Sequence, residues 1–193
     1  RPRHGPTRGE GHRQRLRPAC SPLPEAGRGS KGADAATGGE SGPGGPGAAL
    51  RCASRLTAVA CLAATWEATA RKAGNVHRFA DFADVTYADF LLSAAAAAPE
   101  LGRAPGRPLG ETVLAAVRAT RAVVRTNTNL GIVLLLAPLA KVPDGVDLRT
   151  GVRDALSNTT VEDAARVYEA IRLAGPGGLG RTDEQDVRDA PTL

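Results

Sequence analysis

The spacing of apolar residues after position 50 constrains the fold more than any other feature of the sequence. Six apolar residues recur there at alternating steps of four and three, namely Cys52, Leu56, Val59, Ala63, Trp66 and Ala70. Side chains at these steps share one face of an α-helix, so we predict a helix that buries Trp66 and ends before Gly74. No segment alternates apolar and polar residues for long enough to form a strand. The predicted fold is therefore all-α, a single multi-helix domain.

Two capping boxes mark further helix starts. Thr86–Asp89 and Thr160–Asp163 both have the Thr-x-x-acid form in which the first and last side chains bond each other's backbone N–H groups. The first box predicts a helix through the alanines at 94–98, and the second a helix that continues to Gly175. Other predicted segments are a Gly/Pro loop at 99–110 and helices at 111–124 and 147–157.

A tail of different composition precedes the helices. Residues 1–50 hold 12 of the 23 glycines and 7 of the 14 prolines, and they carry eight Lys/Arg against four Asp/Glu. Such a segment buries too little apolar surface to fold, so we predict a disordered basic tail at 1–50 and a helical domain at 51–193. Because most of the net positive charge belongs to the tail, the domain shows no basic helix of the kind that binds nucleic acid.

The sequence also bears on the cellular setting. The longest apolar run, at 131–140, is shorter than the roughly 20 residues that a membrane-spanning helix needs, so we expect no membrane association. Cys20, Cys52 and Cys61 lack the spacing of a metal site and are typical of reduced thiols. We therefore predict a soluble, cytoplasmic protein.

A run of Thr and Asn residues leads into the most apolar segment. Positions 125–131 read Arg-Thr-Asn-Thr-Asn-Leu-Gly. Thr and Asn favour helix starts because their side-chain oxygens accept hydrogen bonds from unpaired backbone N–H groups. The simpler interpretation is a helix cap at Thr126 or Asn127. Because one cap needs only one such residue and the run holds four, the alternative is a phosphate site at the helix start.

A second polar cluster lies at 67–84. Glu67 lies beside Trp66 at the edge of the predicted apolar face, where a carboxylate could serve as a base, although a solvated surface glutamate is the simpler interpretation. His77 has no second ligand at metal spacing, so we expect a structural or substrate-contacting histidine and no zinc. Phe79 and Phe82 lie in the loop that follows, and we expect both to pack against the domain.

A glycine-rich loop and an acidic run lie near the end of the chain. Residues 175–182 match the spacing of two phosphate-binding motifs, but both motifs require a preceding strand, and here the preceding element is a predicted helix. The remaining alternatives are a helix C-cap at Gly175 and a flexible loop that closes over a phosphate. Asp183, Glu184 and Asp186 follow at once, either as plain surface or as carboxylates for Mg²⁺.

Taken together, these stretches resemble the triphosphoribosyl-dephospho-coenzyme A synthase family, over roughly 58–193. One branch of that family has a Lys-Pro-Gly-Asn-Val-His stretch like 72–77, a downstream Asp-Phe, and Thr-Asn-Thr-Asn-Leu-Gly before an apolar helix. The resemblance continues through the Gly-rich loop and its acidic run. Arg71 and Ala73 stand where that branch usually has prolines. The chains of the family run further, so the resemblance implies a C-terminally incomplete domain.

The resemblance implies transfer of a triphosphoribosyl group from ATP to 3'-dephospho-coenzyme A, with adenine leaving and Mg²⁺ holding the triphosphate. It also implies a role for each polar position. The implied catalytic residues are Glu67, Lys72 and Asn75. The residues implied to bind the nucleotide are His77, Arg78, Thr126, Asn127, Asn129, Gly177 and Gly178. The implied metal carboxylates are Asp81, Asp84, Asp183 and Asp186.

Two alternatives stay open at this stage. The same chemistry could act on another acceptor from a cofactor pathway. A non-catalytic helical protein that only binds a nucleotide would also carry these motifs. The sequence does not fix the acceptor or the oligomeric state.

Overall fold

The computed structural model describes residues 46–191, and the prediction of an all-α fold is confirmed for this part of the chain. It forms six α-helices and one 3-10 turn at Ala104–Gly106, with no strand among the described residues. The helices are α1 (Pro46–Thr69), α2 (Tyr87–Gly102), α3 (Leu109–Val123), α4 (Leu130–Ala140), α5 (Leu148–Ser157) and α6 (Val161–Ala174).

The first three long helices form an antiparallel layer. The end of α2 lies against the first half of α1. A Cβ added at Gly102 would lie 2.8 Å from the carbonyl oxygen of Ala53. At the other end of this pair, the hydroxyl groups of Thr69 and Tyr87 form a 2.8 Å hydrogen bond. The short connection through Ala104–Gly106 then turns the chain back, and α3 packs along α2.

α4 and α6 both pack against α3. The Lys141 ammonium at the end of α4 donates to the carbonyl oxygens of Ala104 and Arg107, so α4 runs parallel to α2. At the start of α6, Asp163 Oδ1 accepts a 2.7 Å hydrogen bond from Gly110 N at the start of α3, and further along both helices Arg118 pairs with Glu169, so α3 and α6 are parallel. We call the end of the bundle where α1, α3 and α6 end the front end, and the opposite end the rear end.

The core is built from small side chains. Alanine is the commonest type among the buried hydrophobic residues, and no aromatic residue of the described chain is among them. The largest side chains that are fully buried include Val113, Val117 and Val133. Small residues let helix backbones approach closely, and Gly110 is the extreme case: a Cβ there would lie 2.3 Å from the carbonyl oxygen of Asp163.

Both predicted capping boxes are confirmed. Thr86 and Asp89 exchange side-chain and backbone hydrogen bonds at the start of α2, and Thr160 and Asp163 do the same at the start of α6. In each box, the donors and acceptors that pair belong to the same four consecutive residues. The start of these helices is therefore fixed by local sequence.

Two predictions, one about the end of α2 and one about Trp66 on α1, were wrong. The loop expected at 99–110 begins later, because α2 continues through Pro99 to Gly102. Proline removes only one helical hydrogen bond there, and Ala95, whose carbonyl loses that bond, is exposed to water. Trp66 was expected to be buried, but 66% of its surface is exposed, because α1 contacts the other helices mainly through its alanine face against α2.

The remaining predictions about the chain ends can be compared only in part. The predicted tail at 1–50 lies outside the described residues except for its last five positions, which belong to α1. Cys20 also lies outside, while Cys52 and Cys61 are free thiols. Among the helices of the described residues, none combines the length and the apolar character that crossing a membrane requires.

Candidate active site

An ion pair closes the end of α1. The Lys72 ammonium contacts the carboxylate of Glu67 and also donates a 2.8 Å hydrogen bond to the Glu67 carbonyl oxygen. A cation is favourable there because the last carbonyls of a helix carry partial negative charge. Both side chains remain partly accessible, at 37% for Lys72 and 41% for Glu67. The pair therefore stands open to a ligand that could compete for either partner.

The chain after this pair turns sharply. Gly74 has a φ of +72°, a left-handed conformation that favours glycine. The turn brings Asn75 N within 3.4 Å of the Lys72 carbonyl oxygen. Asn75 is half-buried, and the next residue, Val76, is almost fully buried. Val76 thus anchors the loop, and Asn75 stays beside the Glu67–Lys72 pair in sequence and space.

The loop at 77–86 is pinned at both of its ends. His77 and Ala80 form two backbone hydrogen bonds of 3.0 and 2.8 Å. His77 Nδ1 accepts a 3.2 Å hydrogen bond from Phe79 N, so in the neutral ring the proton lies on Nε2, available to a ligand. Asp81 Oδ1 accepts a 2.6 Å hydrogen bond from Tyr87 N, which ties the loop to the first residue of α2.

Two aromatic side chains in this loop are exposed, contrary to the expectation that they pack against the domain. Phe79 is 63% exposed and Phe82 is 46% exposed. The guanidinium of Arg78 lies 4.3 Å from the centre of the Phe79 ring, and that of Arg71 lies 5.7 Å from it. Phe79 therefore forms a cation-π cluster at the surface instead of a core contact.

The Thr/Asn run has a structural role in its second half. Asn127 Oδ1 accepts a 3.2 Å hydrogen bond from Leu130 N, the first N–H group of α4. The N-cap residue of α4 is Asn129, and its side chain makes no cap hydrogen bond, so the predicted cap at Thr126 or Asn127 is not where the structure places it. Thr128 and Asn129 are buried. The Thr128 hydroxyl forms a 2.5 Å hydrogen bond with that of Ser93 on α2. The two halves of the run therefore differ in exposure, because Thr126 is half-buried and Asn127 is exposed, whereas the next two residues are buried.

Asn129 joins three helices. Its Nδ2 donates to the carbonyl oxygen of Ser93 on α2, at 3.3 Å, and to the hydroxyl of Thr120 on α3, at 3.0 Å. Only 5% of Asn129 is exposed, so its amide has no free surface for a substrate. This burial contradicts the implied role of Asn129 as a nucleotide contact. Instead, Asn129 holds the start of α4 to the first half of α2 and to the last turn of α3. Sequence reasoning missed Ser93 and Thr120, since neither stands in a recognisable motif.

We expect Asn129→Ala to lower the free energy of unfolding by about 1–3 kcal/mol, because it leaves the buried Ser93 carbonyl and Thr120 hydroxyl without this partner. Chemical denaturation followed by circular dichroism measures the change. Asn127→Ala is the matched control, since it removes one hydrogen bond from an exposed residue to the first N–H group of α4, and about 1 kcal/mol or less is expected. Equal losses for both variants would contradict the assignment of Asn129 to the core.

The C-terminal loop is held against α6. Gly175 caps α6 in a left-handed conformation, with a φ of +59°, as the C-cap interpretation predicts. Gly178 also has a positive φ, at +79°, and both Gly177 and Gly178 are exposed. The Tyr168 hydroxyl donates a 2.8 Å hydrogen bond to Gln185 Oε1 from the side of α6. The loop is thus ordered by contacts with α6.

Asp186 organises this loop from within. Its two carboxylate oxygens accept hydrogen bonds from Arg188 N, at 2.9 Å, and Thr182 N, at 3.1 Å. These backbone donors hold the pKa of the Asp186 carboxyl below its usual value, so the group stays ionised. Asp183 is exposed beside it. Only 7% of Asp186 is exposed, so a metal ion has little access to its carboxylate.

The carboxylates fit Mg²⁺ only as a partial ligand set. Among residues 46–191, no three His, Cys, Asp or Glu side chains form a group that could hold a metal ion. Mg²⁺ bound to substrate phosphates needs only one or two protein carboxylates. Asp81 and Asp84 are both exposed in one loop, and Asp81 has one oxygen left after its bond to Tyr87 N. These two exposed residues fit such an ion, whereas the buried Asp186 does not.

The helix directions bring the predicted residues to one end of the bundle. The Glu67–Lys72 pair joins the last turn of α1 to the chain just after it, the loop at 77–86 precedes α2, and the Thr/Asn run precedes α4. The Thr69–Tyr87 and Ser93–Thr128 hydrogen bonds connect these segments at the front end. A cleft of about 630 Å³ at the rear end lies between α5 and α6, and none of the predicted site residues lines it.

Comparison with known proteins identifies the family. The family model described as ATP:dephospho-CoA triphosphoribosyl transferase matches residues 53–193. The chain belongs to this family. Members of the triphosphoribosyl transferase family are transferases whose substrates are ATP and dephospho-CoA, so the recognition made from the motifs is confirmed. No curated protein and no solved structure matches the chain.

Proposed function

We propose that the protein transfers the triphosphoribosyl group of ATP to a ribose hydroxyl of 3'-dephospho-CoA and releases adenine. In this reaction the bond between the ATP ribose C1' and the adenine nitrogen breaks. A bond forms between C1' and the acceptor oxygen, whose proton passes to a base. The leaving adenine nitrogen takes up one proton, so the net reaction moves a proton from the acceptor hydroxyl to adenine. The family match over 53–193 carries this proposal. Both substrates are intracellular metabolites, so we place the reaction in the cytoplasm.

Glu67 is the residue that we assign as the base. Its carboxylate is partly exposed and contacts Lys72, at the front end of the bundle. A carboxylate there can accept the proton of the attacking hydroxyl and oppose the positive charge that develops on the ribosyl carbon. The Lys72 ammonium cannot fully neutralise both the Glu67 carboxylate and a bound triphosphate. We expect substrate phosphates to draw Lys72 away and leave the Glu67 carboxylate free to act.

The surrounding polar groups then bind and orient the substrates. Arg78 adds positive charge for the phosphates, and Asn75 and His77 Nε2 offer hydrogen bonds from the same loop. Thr126 and Asn127 lie at the start of α4, where backbone N–H groups favour anions. The remaining residues assigned to phosphate binding are Gly177 and Gly178 in the loop after α6.

Mg²⁺ belongs to this proposal as the ion that neutralises and orients the triphosphate. Asp81 and Asp84 are the carboxylates that would hold it together with the phosphates. Asp183 is a further candidate from the C-terminal loop, because it is exposed. Their role is to fix the ion relative to Lys72, which supplies the other positive charge.

The test is to incubate the purified protein with ATP, Mg²⁺ and dephospho-CoA and to follow free adenine by chromatography. We expect adenine and consumed acceptor in equal amounts, with a product heavier than dephospho-CoA by a triphosphoribosyl group. A reaction without acceptor is the control for plain hydrolysis. Binding of ATP without any adenine release would refute transfer, and adenine release with a different acceptor only would refute dephospho-CoA as the substrate.

A further inference from the structure

We propose that the exposed ring of Phe79 is the stacking surface for an adenine ring of the substrates. This inference rests on the proposed function and adds a binding residue that the sequence motifs do not contain. Phe79 is 63% exposed, although the chain has only three phenylalanines and one tryptophan. Single exposed apolar side chains are common, so the inference depends on how the Phe79 ring is held and on the charges around it.

The backbone holds this ring in place. Phe79 lies at the tip of the turn that the His77–Ala80 backbone pair closes, and its N–H donates to His77 Nδ1. Val76 buries the chain immediately before the turn, and the bond from Tyr87 N to Asp81 fixes the chain after it. A ring carried on a turn with both flanks fixed loses little freedom on binding a ligand, which favours stacking.

The charges around the ring select the kind of ligand. Two guanidinium groups, of Arg78 and Arg71, lie 4.3 and 5.7 Å from the ring centre. Because both guanidinium groups lie over the ring, a planar base would stack on a face that they leave open, or displace them towards its own phosphates. Lys72 belongs to the same stretch of chain and adds a further positive charge. An aromatic surface next to several cations therefore suits a nucleotide, whose base is apolar on its faces and whose phosphates are anionic.

Phe82 shows that exposure alone does not make this site. It is also exposed, at 46%, but the described residues place no guanidinium over its ring. It therefore lacks the charge complementarity to a nucleotide that Phe79 has. The two residues share a loop and a side-chain type, so Phe82 is the matched control for Phe79.

The adenine could come from either substrate, because ATP and dephospho-CoA both carry adenine joined to phosphates. Ligands that share the phosphates but lack the base separate the two sources. Tripolyphosphate keeps the phosphate chain of ATP without the adenosine. 4'-Phosphopantetheine keeps the pantetheine arm of dephospho-CoA without its adenine nucleotide.

Isothermal titration calorimetry of the full chain tests the proposal with these four ligands. We expect Phe79→Leu to weaken the binding of ATP, of dephospho-CoA, or of both, about tenfold, which is typical of one lost stacking contact. Phe79→Trp should restore the affinity, because its ring also stacks. Tripolyphosphate and 4'-phosphopantetheine should bind to the wild type and to Phe79→Leu with equal affinity. The Phe82→Leu protein should bind all four ligands with the affinity of the wild type.

The pattern of affinities identifies the source of the base. A loss for ATP alone assigns the adenine of ATP to Phe79, and a loss for dephospho-CoA alone assigns the acceptor's adenine. Unchanged affinity for both in Phe79→Leu overturns the proposal, as does equal weakening of tripolyphosphate or a wild type that binds neither nucleotide. Circular dichroism spectra of the variants check that each one folds, and Phe79→Trp must recover binding if the loss is one of stacking.

These outcomes are independent of the transfer assay. Wild-type protein that binds ATP through Phe79 but never releases adenine would refute the proposed reaction and leave the stacking surface standing. Wild-type protein that releases adenine, with Phe79→Leu unchanged in affinity for both nucleotides, would refute the stacking surface and leave the reaction standing.

Discussion

Glu67→Gln is expected to lower the rate of adenine release about 100-fold or more, the usual effect of removing a general base. The substitution keeps the size of the side chain and leaves the bond from the Lys72 ammonium to the Glu67 carbonyl oxygen intact. It removes only the charge that we assign to proton transfer. Steady-state measurement of adenine at saturating ATP and dephospho-CoA gives the change in kcat.

The fold should tolerate this change. A partly exposed ion pair contributes about 0–1 kcal/mol to stability, so Glu67→Gln should unfold at nearly the same denaturant concentration as the wild type. Glu100→Gln is the matched control, because Glu100 also pairs with cations but lies at the rear end. Despite opposing desolvation, Arg107 and Arg103 hold the pKa of the Glu100 carboxyl below its usual value. Turnover in Glu67→Gln within twofold of that in Glu100→Gln would remove Glu67 from the mechanism.

Gly110→Ala is expected to lower the free energy of unfolding by about 3 kcal/mol, a large part of the 5–15 kcal/mol typical of a domain. The added Cβ would lie 2.3 Å from the Asp163 carbonyl oxygen and 2.6 Å from its Cα. These are backbone atoms, so no side-chain rotation relieves the contact. The helices α3 and α6 would have to separate, which also lengthens the bond from Gly110 N to the Asp163 carboxylate.

Gly131→Ala makes the same chemical change where space is open. Apart from its chain neighbours and the adjacent backbone of its own helix, no heavy atom lies within 4 Å of a Cβ at Gly131, which is in the first turn of α4. Alanine is a better helix former than glycine, so stability should rise by about 0.5–1 kcal/mol. Urea unfolding of both variants gives two changes of opposite sign. A Gly110→Ala protein as stable as the wild type would show that α3 and α6 do not approach as closely as described.

Local signals in the sequence predicted two helix starts and one helix end correctly. The boxes at Thr86 and Thr160 and the glycine cap at Gly175 each act within a few residues, so no knowledge of the rest of the chain is needed. The polar stretches also sufficed to recognise the family. Whether 51–193 forms one domain, and which residues catalyse, stays predicted and is open to the experiments above.

Tertiary contacts explain what the sequence could not show. Apolar spacing marks a helix face but does not say which face a neighbour covers, and Trp66 lies on a side of α1 that no described helix covers. The Thr/Asn run gave no sign that Asn129 points inward to Ser93 while Asn127 stays outside. Aromatic type alone suggested burial for Phe79, whereas its arginine neighbours keep it at the surface.

The alanine-rich core has a thermodynamic consequence. Small side chains expose less apolar area on unfolding than a core of leucine and phenylalanine would, and the heat-capacity increment of unfolding grows with that area. We expect calorimetry to give an increment below the usual 12–15 cal/mol/K per residue. The stability curve would then be shallow, so warming or cooling the protein by a few tens of degrees should change its margin against unfolding only slightly.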